Sequence, residues 1–452
     1  MRRIINLIKE QIFWIKNRFR IVAYLQYKEV CRHEKLSVHE LEEYEWEKQK
    51  SIVEIAYNHS RFYKRFYDGK GFHPSMLRNK ADWQKVPVLE KDLVRNYCDE
   101  ILSDEAIPSI IYESTTGGST GKPLKVFHDR RFHSEILGWR SFRWWGVSPS
   151  ASVGIVHRRV PKTKLQKIKK KIIWWPTYRT YLDASFIDDD NISDFIKSII
   201  KHKIVWLQGY VGALEKVADY IIDHDVNIDS LKMVWSTSSP LFEHVRDKME
   251  RAFGCKVMNQ YGCCEIFHIA TQCPQTNQLH IHSDCVHVDV VNSNNEFLID
   301  EEGDILVTDL RNEVFPLIKY RLGDKGTLLS NYCPCGLNLP MMKEVKGRIS
   351  DAVICPSGHF VDGNYLTTLF DNYYDYIDQF QVRQDKNYNI KLIVKLKHPE
   401  EKLSYIILET IRKKFISNVN NEVPVEVQVV DHINDDNGKI RYVISEVVLG
   451  RS

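Results

Sequence analysis

Ser114, Thr115, Thr116, Gly117, Gly118, Ser119, Thr120, Gly121 and Lys122 fall in one short stretch, ESTTGGSTGKP (113–123). Glycines let a backbone approach an anion closely and aim successive N–H groups at it. The hydroxyls add donors and the lysine adds charge. Such a loop suits phosphate, with a plain solvated loop as the competing reading. It is not a Walker A loop, G-x-x-x-x-G-K-[ST]. Aligned on Gly121-Lys122, Thr116 takes the place of the first glycine, and Pro123 stands where the magnesium-binding hydroxyl belongs. Proline ligates no metal and has no N–H to offer a phosphate.

A second group of reactive side chains lies downstream. Seven of the ten cysteines fall between Cys255 and Cys335. With no secretory-type segment legible at the N-terminus, they read as reduced thiols or metal ligands, in a cytoplasmic setting, and not as a disulfide framework. Cys273, His280, Cys333 and Cys335 are a donor set that suits four-coordinate zinc. His282 competes with His280 for the imidazole place, and free buried thiols remain the alternative.

The elements that position these residues follow from the hydrophobic pattern. Residues 204–208, 233–237 and 256–260 read as strands, and 211–224 and 240–253 as helices between them. Ser239, Pro240 and Gly254 suit the cap, first turn and left-handed exit of the second helix. Strands alternating with helices predict a parallel, doubly wound α/β sheet, with the turns GYVG (209–212), STSSP (236–240) and YGCCE (261–265) at one crevice. Beyond residue 347, two strands around a DKN turn (380–396), a helix (399–415) and another strand (423–431) predict an α+β unit of about a hundred residues.

Composition excludes some classes. A net charge of +3 over 452 residues marks no nucleic-acid binder. No apolar run reaches the roughly 18–20 residues of a membrane span. Two basic stretches stand out. Residues 1–20 place Ile5, Ile8, Ile12, Ile15 and Phe19 on one helix face, and HRRVPKTKLQKIKKK (157–171) contains no acid. The first reads either as a helix packed on its own domain or as one resting on the inner membrane surface, and the second either as a solvated face or as a contact for anionic lipid or a lipid-linked glycan.

The ordered set ESTTGGSTGKP, YGCCE, YRLGD (320–324), GRISD (347–351) and NGKIR (437–441) resembles the adenylate-forming superfamily of acyl-CoA synthetases, luciferases and adenylation domains. IVEIAYNHSRFYKRFYDGKGF (52–72) and KVPVLEKDLVRN (85–96) are similar to its phenylacetate–CoA ligase branch, and to the CapK-type members linked to capsular polysaccharide. The resemblance implies a basic amphipathic segment (1–40), a large domain with doubly wound mixed sheets (41–346) and a small mobile α+β C-terminal cap (347–452).

It also implies a ligase that uses ATP to turn a carboxylic acid into an acyl-adenylate, then passes the acyl group to coenzyme A or to an amine. Lys439 would bridge the carboxylate and α-phosphate, Glu265 would bind magnesium, and Lys122 would serve the phosphates. Tyr261, with Gly262 beside it, would stack against adenine. Ser236 and Ser238 would lie along the base, and Cys264 stands where the family carries threonine. Asp324 and Arg348 would hold the ribose, and Ser350 would be the hinge. A catalytically degenerate nucleotide-binding scaffold is the remaining alternative.

Overall fold

The structure is a computed structural model. It describes residues 2–19, 21–115, 124–158, 160–184, 187–237, 241, 243–345, 352–362, 366, 369–370, 373, 375–433 and 443–447. The chain divides into two compact units, residues 1–114 with 125–346, and residues 115–124 with 347–452.

In chain order the first elements are α1 (Arg2–Phe19), α2 (Ile21–His33), α3 (Val38–His59), α4 (Arg61–Gly69), α5 (Lys91–Asn96) and α6 (Cys98–Ile101). Next come β1 (Ile111–Thr115), β2 (Lys125–Asp129), α7 (Glu135–Trp144), β3 (Val153–His157), α8 (Lys164–Trp174) and β4 (Arg179–Asp183). The alternation continues through α9 (Asp189–His202), β5 (Trp206–Tyr210), α10 (Val211–Asp223), β6 (Met233–Thr237), α11 (Glu243–Phe253) and β7 (Lys256–Tyr261). Seven strands then follow without helices: β8 (Ala270–Gln272), β9 (Leu279–Ile281), β10 (Val286–Val291), β11 (Gly303–Asp309), β12 (Tyr320–Gly326), β13 (Leu328–Leu329) and β14 (Met341–Met342).

The main sheet has the order β13-β14-β9-β8-β7-β6-β5-β3-β4. The run from β4 to β7 is parallel, and β7 onward is antiparallel. Alternation along each parallel strand explains the two covered faces. Leu207, Val234 and Val257 point to a core built with Phe195, Leu214, Val217, Met249 and Phe253 of α9, α10 and α11. Trp206, Met233, Trp235 and Met258 point the other way, onto Ile136, Leu137, Trp139 and Phe142 of α7. Helices on both faces make the sheet doubly wound, and its antiparallel half makes it mixed. Strands β10, β11 and β12 form a separate antiparallel sheet.

Residues 1–33 belong to the larger unit. Phe13 packs on Trp139 with ring centroids 5.5 Å apart, and Trp14 stacks on Tyr27 at 4.8 Å. Gly254 leaves α11 at φ 64°, the left-handed exit its sequence position predicts.

The smaller unit holds a two-stranded pair, β15 (Ala352–Ile354) with β16 (Phe360–Asp362), and the strands β17 (Ile377–Gln384), β18 (Ile390–Leu396), β19 (Val425–Val429) and β20 (Val443–Ser445). Their order is β19-β18-β17-β20. The β17–β18 turn closes because the Asp385 carboxylate accepts from the amides of Asn387 and Asn389 at 2.8 and 2.9 Å. Helix α12 (Lys402–Asn418) brings Ile407, Leu408, Ile411 and Phe415 to a core shared with Phe380, Val382, Leu392 and Val394.

Candidate active site

The parallel strands end together at His157, Asp183, Tyr210, Thr237 and Tyr261, the edge where ligands bind such sheets. The chain turns sharply after β7. A Cβ on Gly262 would stand 2.8 Å from Gln260 Nε2 and 2.9 Å from the His268 amide nitrogen, so the turn needs glycine. Two residues later Cys264 is exposed. Its carbonyl oxygen lies 3.0 Å from His128 Nε2.

Glu265 closes this turn and is only 4% exposed. Its Oε1 accepts from Lys91 Nζ at 3.2 Å and from the Tyr320 hydroxyl at 3.2 Å. A buried carboxylate needs such partners, because desolvation otherwise costs several kcal/mol. Burial and the Glu265 charge push the Tyr320 phenol above its ordinary range, so it stays a donor. The Tyr261 hydroxyl donates to Asp324 Oδ2 at 3.0 Å. Burial, with the Asp324 charge beside it, holds that phenol protonated as well. Two carboxylates, Glu265 and Asp324, are thus held by Lys91, Tyr320 and Tyr261 at the edge of the sheet.

Ser114 and Thr115 end β1, and Thr237 Oγ1 lies 3.4 Å from Gln260 Oε1. Ser236 is fully buried and its hydroxyl donates to the Met258 carbonyl at 3.2 Å, so the side chain is engaged inside the sheet. Thr116–Gly121, Lys122, Ser238, Arg348, Ser350 and Lys439 lie outside the described residues, as do Ser239 and Pro240. Sequence reasoning gave no role to Lys91, Tyr320 or His128. The first two stand inside KVPVLEKDLVRN and YRLGD, so the motifs held the signal without assigning it.

Next to the turn is a small pocket of about 30 Å³, open to solvent, lined by Tyr112, His128, Phe132, Phe267, Asp309 and Arg311 among others. His128 stacks between Tyr112 and Phe267, with centroids at 5.0 and 4.5 Å. Burial lowers the His128 pKa and pushes Asp309 up to about 6. Among the described residues the buried Nε of Arg311 has no hydrogen-bond partner.

Cys273, His280, Cys333 and Cys335 form one cluster whose donor atoms all lie within 4.8 Å of one another. Cys273 Sγ is 3.4 Å from Cys333 Sγ, and His280 Nε2 is 3.2 Å from Cys335 Sγ. The other ring nitrogen, Nδ1, faces the Leu339 carbonyl at 3.2 Å. Burial raises the Cys273 thiol, but hydrogen bonds from His280, the Gln275 amide and Cys333 outweigh it and bring the pKa down to about 6. His282 lies elsewhere, between Arg140 Nη2 at 2.6 Å and Thr271 Oγ1 at 3.0 Å. Arg140, fully buried, also holds Asp284 through bonds of 2.8 and 3.0 Å and the Val30 carbonyl at 3.2 Å, tying α7 to α2.

Residues 353–446 match the CapK C-terminal domain. The chain is 24% identical over 319 residues to protein CapK of Staphylococcus aureus, covering 68% of each chain. It is 26% identical over 341 residues to the phenylacetate-coenzyme A ligase of Escherichia coli (strain K12), covering 71% of this chain and 74% of that one. Among solved structures, 2-hydroxyisobutyryl-CoA ligase in complex with 2-HIB-AMP and CoA shares the fold, with a TM-score of 0.66, 18% identity and 92% of each chain covered. The ordered motifs, the doubly wound sheet with Glu265 and Asp324 at its edge, and these relatives agree on a ligase, similar to CapK and the phenylacetate–CoA ligases and sharing the fold of 2-hydroxyisobutyryl-CoA ligase.

Proposed function

We propose that this ligase activates a small carboxylic acid with ATP and transfers the acyl group to the thiol of coenzyme A. In the first step a carboxylate oxygen attacks the α-phosphorus and pyrophosphate leaves. In the second the thiol attacks the acyl carbon, and AMP leaves with the bonding electrons. The observation that carries this reading is the buried Glu265, held by Lys91 and Tyr320 beside Tyr261 and Asp324 at the carboxyl edge of the parallel strands. Chemistry of this kind rests on positioning and on neutralised charge. Asp324 would take the ribose hydroxyls. Lys122, Arg348 and Lys439 keep the roles the family resemblance gives them.

Magnesium fits Glu265, because the ion takes hard oxygens and completes its shell with water and phosphate oxygens. Bound there, it would neutralise phosphate charge. Lys91 and Tyr320 fix the carboxylate that would hold it. Zinc fits the Cys273, His280, Cys333 and Cys335 cluster. Three sulfurs and an imidazole nitrogen within 4.8 Å are a structural zinc donor set. The Leu339 carbonyl would orient His280 through its second nitrogen.

The open pocket beside Phe267 would border the acyl part of a small acid. Asp309 and the unpartnered Arg311 Nε suit an acid carrying a hydroxyl or amino group. A second acceptor reading is favoured by the CapK match over residues 353–446. In it the acyl group passes to an amine of an amino sugar or amino acid during surface-polysaccharide assembly. Carboxylate-dependent exchange of labelled pyrophosphate into ATP, run across a panel of acids, tests the activation step. Absence of acid-dependent exchange across plain and polar acids would overturn the proposal. Product assays with coenzyme A or amines then separate the two acceptors.

A further inference from the structure

Helix α8 buries none of its residues. Its start is firmly set: the Thr163 hydroxyl accepts from the Gln166 amide, and the Gln166 side chain reaches back to the Thr163 amide. At 100° per residue, Leu165, Ile168 and Ile172 fall on one stripe, and they are 76%, 56% and 70% exposed. Trp174 and Trp175 follow at 37% and 57%. An amphipathic helix whose apolar stripe faces water lacks the burial that ordinarily stabilises one.

The charge around this stripe is of one sign. Lys162, Lys164, Lys167, Lys169, Lys170 and Lys171 surround it, and residues 157–182 contain no acid. Helix α1 adds a second exposed apolar face beside it. Phe13 and Asn17 anchor α1 inward, while Ile4, Leu7, Ile8 and Ile15 are 52–62% exposed. The Lys16 ammonium donates to the carbonyls of Ile173 and Trp175, joining α1 to the end of α8. Among the described residues no helix is long and apolar enough to cross a membrane.

We propose that α8, with the exposed face of α1 beside it, is a docking surface for an anionic lipid bilayer. Lysines bordering Leu165, Ile168 and Ile172 meet the lipid phosphates while the apolar stripe enters the headgroup boundary and Trp174 and Trp175 sit at the interface. Charge complementarity selects this occupant: six lysines without an acid repel a second copy of the same face and attract a surface of negative phosphates. The surface uses none of the residues assigned to the ligase site, so its test is independent of the ligase chemistry.

The test is flotation of the full chain with phosphatidylcholine vesicles, with and without phosphatidylglycerol. The chain should float with the anionic vesicles, stay behind with the neutral ones, and be released as salt rises. Leu165→Gln/Ile172→Gln should weaken binding at least about tenfold. Lys167→Gln/Lys170→Gln should weaken it and flatten the salt dependence. Because α8 buries nothing, both variants should melt with the wild type. Equal binding to neutral vesicles, or undiminished binding by both variants, would overturn the proposal. So would a concentration-dependent dimer, seen by light scattering, that the same variants abolish without any vesicle binding.

Discussion

The thiol–imidazole cluster allows a prediction worked from distances. Ligands around a four-coordinate zinc with Zn–S near 2.3 Å stand about 3.8 Å apart. Cys273 and Cys333 are 3.4 Å apart, and His280 and Cys335 3.2 Å. Metal entry therefore needs these two pairs to open by about half an ångström and the remaining pairs, none beyond 4.8 Å, to close by at most about one, within side-chain reach. Protein purified without chelator should carry about one equivalent of zinc by elemental analysis. Cys333→Ser should lose it, since a hydroxyl is a poor substitute for a thiolate. Cys355→Ser, a buried thiol of the smaller unit, should retain it. At a free-metal level near 1,000 times Kd the metal contributes about 4 kcal/mol, so chelation should lower the unfolding midpoint by roughly 5–10 °C. The effect should reach the crevice, because Cys273 directly follows β8, whose Ala270 pairs with Tyr261. Zinc-free protein with an unchanged midpoint, or undiminished zinc in Cys333→Ser, would refute the reasoning.

Lys91→Met removes one partner of a 4%-exposed carboxylate, a bond worth about 2 kcal/mol between charged groups. Pyrophosphate exchange should fall roughly thirtyfold with the fold intact by circular dichroism, and Lys91→Arg should recover part of it. An unchanged rate would remove Lys91 from the site. Lys439→Ala should lower exchange by about 10²–10³, the scale of one lost preorganised charge, while preformed acyl-adenylate is still consumed. Equal loss of both steps would sink that role. Arg140→Leu leaves the buried Asp284 with His33 as its remaining side-chain partner and should cost about 3 kcal/mol in urea unfolding. A cost below about 1 kcal/mol would show the network to be dispensable.

The parallel half of the sheet was legible because its strands and helices alternate at short range. β6 spans 233–237 as its apolar run indicates, and Gly254 ends α11. β5 was displaced. The run at 204–208 suggested a strand ending before Gly209-Tyr210, yet the ladder continues through both. Gly209 reads as turn punctuation, but here it allows close approach: a Cβ would stand 2.8 Å from Val156 Cβ. The choice between His280 and His282 could not be read from spacing. Alternation puts both on the same side of a strand, and it is Arg140, 142 residues away in sequence, with Thr271 that claims His282. Lys91 was hidden for the same reason. A single lysine among many has no periodicity, and its partner lies 174 residues later.

The placement of Lys91 bears on how the proposed site would tolerate an anionic nucleotide beside Glu265. On the proposed function, a carboxylate near the nucleotide phosphates would add repulsion at the point where a substrate carboxylate must also approach. The cations assigned by family resemblance, Lys122, Arg348 and Lys439, come from segments outside the described residues. Lys91 instead starts α5, and the strand bridge from Leu89 to Tyr320 holds the chain just before it against β12. That bridge brings the base of Lys91 and the Tyr320 phenol to Glu265 from one piece of framework. The charge of Glu265 is therefore balanced by the large unit itself, before any nucleotide or ion arrives. If the proposed function holds, a site built this way would need little reorganisation when the phosphates enter, which is what electrostatic preorganisation requires.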